Sequence, residues 1–451
     1  MVPRASLSAC LIVKNEAAVL ADCLRSIQSV VDEIIVLDTG STDGTIDIAR
    51  QWNAKVHHFS WSNHFAQARN ASIQPATGDW ILWLDADERL PEESYPALRE
   101  CLVPVKIPTA VRVQIRSLKQ DGRNYTLSDA HRLFSNHFGI QFSGRIHEQI
   151  APSIRALQGV EKSSRIVLEH LGYSYTGEKA EAKRKRNENL LKRMAKEQPD
   201  SPYAQFTLGQ HFALYRQYRK AVRCFQKALN LGSLGPEMDA SLKNILADTL
   251  LKLKKPTEAK RWLEESLAAF PRQIGGYYLR YKLALEQQDL WGQIKALETV
   301  LAKTVEVQKE GKSLSTDIEI PQRDLEYVLV RLGLKTDTPD YVEPYAHRLR
   351  LRPELSYRER ELLGRYYLSL GDWERAEEQL KKIYHDQPEN TVILDLLGLL
   401  YLKQKKFAAA IHYYTLYSRL KPKEKAAKRR LAGLYAKTGE TERAKEILAA
   451  L

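Results

Sequence analysis

Asp38-Thr39-Gly40-Ser41-Thr42-Asp43-Gly44-Thr45 follows directly on the apolar run Glu33-Ile34-Ile35-Val36-Leu37, and Asp85-Ala86-Asp87 follows on Trp80-Ile81-Leu82-Trp83-Leu84 in the same way. Each run reads as a short buried strand, and each acidic cluster as the loop at its carboxyl end. Working outward, apolar strands alternate with amphipathic helical stretches: Leu7 to Val13, Ala17 to Ser29, Glu33 to Leu37, Thr45 to Trp52 and Lys55 to Phe59. That βαβαβ order predicts an α/β region with a parallel sheet, reaching to about Val113. Ligands of open α/β sheets gather at the carboxyl ends of strands, so both carboxylate sets are expected to face one crevice.

The chain has 451 residues, 43% of them apolar, enough for at least two cored domains. No run approaches the ~18 apolar residues of a transmembrane helix, and Met1-Val2-Pro3-Arg4-Ala5-Ser6 lacks the apolar segment of a signal peptide. A cytoplasmic location is the expectation. Cys10, Cys23, Cys101 and Cys224 are scattered, with no metal-ligand or redox spacing, and read as reduced thiols. The net charge of +13 is concentrated in helical-looking stretches such as Lys179 to Lys196 and Lys421 to Arg430. These read as solvated faces, and no nucleic-acid partner is expected. The same charge would suit an anionic sugar donor or an anionic membrane surface.

Beyond about Pro202 the strand signals stop and a repeat begins. Leu363-Gly364, Tyr367, Ala376 and Pro388 recur as Leu397-Gly398, Tyr401, Ala410 and Pro422, an offset of 34 residues, and again as Leu431-Ala432, Tyr435 and Ala444. Earlier copies are Leu208-Gly209, Phe212, Ala221, Phe225 and Ala228, then Leu246-Ala247, Leu250, Ala259, Leu263 and Pro271. This pattern resembles the tetratricopeptide repeat. It implies helix pairs stacked into a superhelix with a concave face, with the aromatic positions in the core. The stretch from about Tyr278 to Pro353 is degenerate and carries the polar interruption Gly311-Lys312-Ser313-Leu314-Ser315.

The amino-terminal region resembles a family-2 glycosyltransferase of the GT-A fold. The resemblance rests on Lys14-Asn15-Glu16, the Asp38 to Thr45 loop, Phe65-Ala66-Gln67-Ala68-Arg69-Asn70, Gly78-Asp79-Trp80 and Asp85-Ala86-Asp87, in that order. The fold it implies is a Rossmann-like α/β nucleotide-sugar domain over residues 1–176, a helical linker over 177–200 and an all-α tetratricopeptide-repeat superhelix over 201–451.

The resemblance also implies the site. A UDP-sugar donor would be met by Asn15, Glu16, Asp38, Arg69, Asp85 and His170, with Asp38 on the nucleobase, Arg69 on the base or diphosphate, and Asp85 near the ribose or metal. The leaving diphosphate gathers charge as the glycosidic bond breaks, which calls for Mn²⁺ or Mg²⁺ on hard oxygen ligands. Asp87 is the main ligand, and His147, in Phe142-Ser143-Gly144-Arg145-Ile146-His147-Glu148, could complete the shell. Inversion by single displacement needs a carboxylate base. Glu148 is the first candidate, with Asp129 and Glu88 as alternatives. Asp43 is expected to cap the helix that starts near Thr45. For Asp38 a plain turn role is the competing reading, and His170 could equally pack beneath the linker.

Three functions are compatible with these signals. The first is transfer of a sugar to a peptide or protein held by the repeats, such as flagellin or another secreted polypeptide, since a repeat array offers an extended surface and also allows a homodimer. On that reading, deletion from about Ser201 onward should spare donor hydrolysis. The second is transfer to a saccharide or lipid-linked acceptor at the membrane, and the third an inactive repeat scaffold. A dinucleotide oxidoreductase is excluded, because Val13-Lys14-Asn15-Glu16 lacks the glycines of that fingerprint.

Overall fold

A computed structural model describes residues 5–118, 125–171, 177–310, 318 and 320–449; the Gly311 to Ser315 interruption, the start Met1 to Arg4 and the proposed boundary at 176 lie outside them. Two compact units divide the chain, one of residues 1–279 with 307–319, the other of residues 280–306 with 320–451.

The first unit is built on an eight-stranded sheet: β1 (Leu7–Val13), β2 (Glu33–Asp38), β3 (Lys55–His58), β4 (Trp80–Leu84), β5 (Glu88–Arg89), β6 (Thr109–Leu118), β7 (Tyr125–Ser135) and β8 (Val160–His170), in the order β3-β2-β1-β4-β7-β6-β8-β5. The strands β1 to β4 are parallel, as the βαβαβ pattern predicts. Beyond β4 the sheet becomes mixed, because β7 runs antiparallel to β4 and to β6. Strand β1 alternates its side chains between two cores. Leu7, Ala9, Leu11 and Val13 pack with the helices α1 (Leu20–Ile27) and α4 (Tyr95–Cys101), while Cys10 packs with Ile35, Ile81, Trp83 and Phe134 on the side of α3 (Phe65–Ile73) and α5 (Ala151–Ala156). Between β2 and β3 lies α2 (Thr45–Gln51). Cys10 and Cys23 are both fully buried in these cores, and that burial raises their thiol pKa values well above the ordinary range.

The register between β1 and β4 is set by side chains at the strand starts. Asp79 accepts from the Ser6 amide and hydroxyl at 2.8 and 2.7 Å, and Gly78 sits so close that a Cβ there would lie 2.7 Å from the Ser8 hydroxyl. That contact explains the Gly78-Asp79-Trp80 lead-in.

The first unit does not end near residue 176 or 200. Helices α6 (Gly177–Glu197), α7 (Pro202–Leu214), α8 (Tyr218–Leu231), α9 (Pro236–Lys252) and α10 (Pro256–Ala269) belong to it, so two of the expected repeats, α7/α8 and α9/α10, share a unit with the sheet. The unit boundary falls inside α11 (Ile274–Glu286) and again inside α12 (Leu290–Glu310). The second unit continues with α13 (Gln322–Lys335), α14 (Glu343–Arg350), α15 (Tyr357–Leu370), α16 (Trp373–Asp386), α17 (Thr391–Lys403), α18 (Phe407–Leu420), α19 (Lys425–Lys437) and α20 (Thr441–Ala449).

Each in-phase copy of the repeat is a helix pair, with Ala376, Ala410 and Ala444 buried between helices and Tyr367 and Tyr401 in the core. The glycines of the repeat also sit at close approaches. A Cβ on Gly364 would lie 2.7 Å from Leu380, and one on Gly398 would lie 2.8 Å from the Tyr414 ring. Among its described residues the degenerate stretch is also largely helical, but the 21-residue α12 and the 8-residue α14 are too unequal to repeat the phase.

Candidate active site

The carboxyl ends of β1 and β4 open onto a cavity of about 900 Å³. Lys14 and Glu16 reach it from the end of β1, Asp85 and Asp87 from the end of β4, and Arg69 from α3. The short pairing of β5 with β8 sets His170 opposite Glu88, and Leu171 donates its amide to the Asp87 carbonyl. As a result the His170 Nδ1 lies 3.5 Å from Asp87 Oδ1, and both side chains remain partly exposed to the cavity. Glu16 stands among Asp87, Asp85 and Asp43. Burial first, then those negative charges, push its pKa up to about 7.

Behind the cavity lies a chain of alternating charges. Arg69, almost wholly buried, donates Nε to Glu148 Oε1 and Nη1 to the Leu84 carbonyl, each at 3.2 Å, and Nη2 to Asp85. Arg132 from β7 donates to Asp85 at 3.2 Å and to Glu88 at 2.5 Å. Both guanidinium groups stack on Trp83, at 4.2 and 3.5 Å from the ring centre. Burial works against the Asp85 charge, but the two arginines outweigh it and hold the carboxyl well below its usual range. Glu88, enclosed by the same network, is pushed upward by burial. A buried ion network of this kind costs desolvation and is retained only where every partner is in place.

The loop from Ser143 to Gln149 presents the remaining candidates. Ser143 and Gln149 exchange backbone hydrogen bonds at 2.9 Å, and Gly144 (φ 104°) and His147 (φ 54°) take left-handed conformations that turn the chain between them. Arg145 clamps the loop, bonding Glu197 of α6 through two nitrogens and the Asn63 carbonyl at 2.7 Å. Tyr203, near the start of α7, donates its hydroxyl to the His147 carbonyl at 2.9 Å. The His147 ring meets the cavity yet is crowded by protein, and that desolvation lowers its pKa against the opposing pull of Glu148.

Several residues expected at the ligand spend their polar atoms on bonds within the protein. Asp38 is buried and takes the amides of Gly40 (3.0 Å) and Ser41 (3.1 Å), the turn role. It does not line the cavity; Thr39 does. Asn15 (φ 57°) uses its side-chain oxygen on the Thr42 amide at 2.7 Å, pinning the loop to β1. Asp43 binds the Thr45 amide at 3.1 Å and the Ala17 amide at 3.2 Å, which ties α2 to the end of β1. Arg69 lines the cavity, but its three nitrogens are spent on Glu148, Leu84 and Asp85. Of the three candidate bases, Glu88 is sealed beneath the network, Asp129 lies on β7, and Glu148 lines the cavity.

Sequence reading missed the wall opposite the strand ends. Ala182, Lys183, Arg186 and Asn187 of α6 line the cavity. The basic run from Lys179 to Lys196 is therefore not only a solvated face, and a sign of this was the spacing of Lys183, Arg186 and Asn187 on one side of a helix. Trp83 and Tyr203 gave no local signal, whereas Arg132 lies in His131-Arg132-Leu133-Phe134, a segment that itself resembles the family.

Residues 8–158 match the family described as Glycosyl transferase family 2, and residues 361–424 and 401–451 match two descriptions of the tetratricopeptide repeat. The chain carries a family-2 glycosyltransferase domain followed by tetratricopeptide repeats. A TPR repeat-containing protein of Synechococcus elongatus is 35% identical over 54% of this chain and 61% of its own length. The SPbeta prophage-derived glycosyltransferase SunS of Bacillus subtilis is 25% identical over 61% of this chain and 66% of its own. An uncharacterized glycosyltransferase of Rickettsia felis is 31% identical over 38% of the chain and 62% of its own length. The chain thus spans less than two thirds of the length of these curated relatives. Among solved structures, a tetratricopeptide-repeat protein of Cytophaga hutchinsonii aligns with 54% of this chain and 95% of its own at 15% identity and a TM-score of 0.42.

Within the glycosyltransferase domain, no group of three or more His, Cys, Asp or Glu side chains among the described residues forms a ready-made metal site. Asp87 and His170 form a pair instead, a hard carboxylate beside an imidazole, open to the cavity. That set fits a cation which takes its other ligands from substrate phosphates and water. Among the described residues no helix is long and apolar enough to cross a membrane.

Proposed function

We propose that the protein is an inverting, metal-dependent glycosyltransferase that moves a sugar from a UDP-sugar to a peptide or protein acceptor presented from the repeats. The observation that carries this reading is the convergence on one cavity of Asp85 and Asp87 from a strand end, His170 from β8, and the cations Lys14, Lys183 and Arg186. A carboxylate beside an imidazole, open to a cavity ringed by basic side chains, suits a cation-bound nucleoside diphosphate better than a neutral ligand.

Asp87 and His170 would hold Mn²⁺ or Mg²⁺, with His147 in reach of the same cavity. When bound, the cation supplies charge neutralisation of the departing diphosphate. Lys14, Lys183 and Arg186 add fixed positive charge around it, which needs no rearrangement as the bond breaks. Trp61 and Phe65, packed edge to face at 4.8 Å, form an apolar wall for the nucleoside. Glu148 serves as base. Its Oε1 is held by Arg69, which leaves Oε2 to take the acceptor proton. Asp85 acts through position: fixed by two arginines, it holds the Trp83 and Arg69 face of the site in place.

A panel of UDP-, GDP-, dTDP- and CMP-sugars, each with and without Mn²⁺, tests the reading by thermal shift and donor hydrolysis. A UDP-sugar should raise the melting temperature only with metal and be slowly hydrolysed. If no sugar nucleotide does either, the scaffold reading replaces this one.

A further inference from the structure

The donor cavity has a neighbour. A second cavity, of about 680 Å³, lies on the other side of Trp83, His147 and Glu148, which line both. One wall belongs to the sheet, with Arg112, His131 and Glu161; the opposite wall belongs to the first repeats, with Tyr203, Phe206 and Gln210 of α7 and Glu237 and Met238 of α9. All of these residues fall in the first compact unit.

We propose that this second cavity is the acceptor subsite, and that it takes a serine, threonine or cysteine side chain together with a few flanking residues of a polypeptide. The inference rests on the glycosyltransferase reading above and deepens it. Inversion requires the acceptor atom to approach the anomeric carbon opposite the departing diphosphate, with a base beside it. Glu148 is the carboxylate that faces both cavities. Its Oε2 receives the hydroxyl or thiol proton as the new oxygen–carbon or sulfur–carbon bond forms. The bond from that carbon to the diphosphate oxygen breaks at the same time, and its electron pair leaves with the nucleoside diphosphate.

The lining indicates a polypeptide. Arg112 donates to Glu161 at 2.6 Å, His131 Nε2 lies 3.0 Å from the same carboxylate, and Glu237 stands 4.0 Å from Arg112. An acyl chain laid across these groups would strip them of water with no hydrogen bonds in return. Peptide amides and carbonyls can replace that water, while Phe142, Phe206 and Met238 give side chains an apolar bed. The volume also fits a ligand of several residues, since sites for drug-sized ligands run roughly 300–1,000 Å³.

The test uses the full chain with Mn²⁺, UDP-glucose and UDP-N-acetylglucosamine labelled in the sugar, and two acceptor probes: a positional-scanning library of Ser-, Thr- and Cys-centred peptides, and a set of soluble mono- and oligosaccharides. Gln210→Trp and Met238→Trp fill the cavity from the repeat side, and Leu214→Trp, on the exposed end of α7, is the control. Thermal melts confirm that each variant is folded. Label should enter the peptides, and the ratio of peptide transfer to donor hydrolysis should fall on the order of 10²-fold in the two filled variants but not in the control. An unchanged ratio in both filled variants overturns the subsite. Label in the saccharides alone overturns the polypeptide assignment while the enzyme reading stands. Absence of binding and hydrolysis of every sugar nucleotide in the panel above, in the unmodified chain, removes the enzyme reading and the subsite with it.

Discussion

Asp87 meets His170 because two residues of β5 pair with the end of β8, so the pair is held by backbone and not by a mobile loop. Asp87→Ala should therefore leave the fold intact and lower turnover by roughly 10²–10³, the scale for losing a preorganised charge partner. Steady-state donor hydrolysis beside a thermal melt checks both halves of that expectation. At this scale the sequence was partly legible. A carboxylate at the end of an apolar strand is visible in a string of letters, and Asp85 and Asp87 reach the cavity as their position implies. Asp38 has the same setting but its oxygens take the amides of Gly40 and Ser41, because a short acidic side chain before a Gly-Ser turn lies within reach of those backbone donors. The roles of Arg132 and Trp83 were not legible, since they depend on β7 lying beside β4, a pairing between segments far apart in sequence.

Among elements, the repeat helices were legible because phase, aromatic and small residue recur together, and the glycines in that pattern make a sharp prediction. Gly398→Ala places a Cβ against the Tyr414 ring and should destabilise by about 1–3 kcal/mol. Gly433→Ala, in the open interior of α19, meets nothing within 4 Å and should stabilise by about 0.5–1 kcal/mol. Urea unfolding of the two variants tests the opposite signs. Helix α15 carries a pH dependence. Burial raises the Glu359 pKa, but Arg323 and the Ser356 capping box outweigh it and bring it to about 2, below its ordinary 4.5. A depressed acid stabilises above its unfolded pKa, so this contribution is complete above pH 4.5 and is lost as pH falls from 4.5 towards 2. Glu359→Gln should flatten the acid branch of melting temperature against pH in that window; an unaltered branch would contradict the assignment. Helix α6 was legible as a helix but its cavity-facing side was not, because a charged amphipathic stretch reads the same whether its basic side meets open water or a cavity.

For the whole molecule, the division into units changes what a truncation should do. A chain ending at residue 200 lacks Tyr203, which braces the His147 carbonyl, and loses the repeat side of the second cavity. It is expected to lose donor-induced thermal stabilisation, contrary to the reading in which the repeats can be removed without touching donor hydrolysis. A chain ending at residue 319 keeps all of the first unit and should retain it. Equal donor stabilisation of both fragments would show the sheet to be self-sufficient. The burial of Cys10 and Cys23 gives such experiments an internal clock. A thiol at the centre of a closed sheet core, with its thiolate disfavoured, reacts with an alkylating reagent only while that core is open. Cys101 and Cys224 are less enclosed and mark the faster background. The labelling rate of the two inner cysteines, followed by peptide mass, thus times the opening of the sheet in the unmodified chain, and a bound sugar nucleotide would be felt there as a lengthened interval between openings.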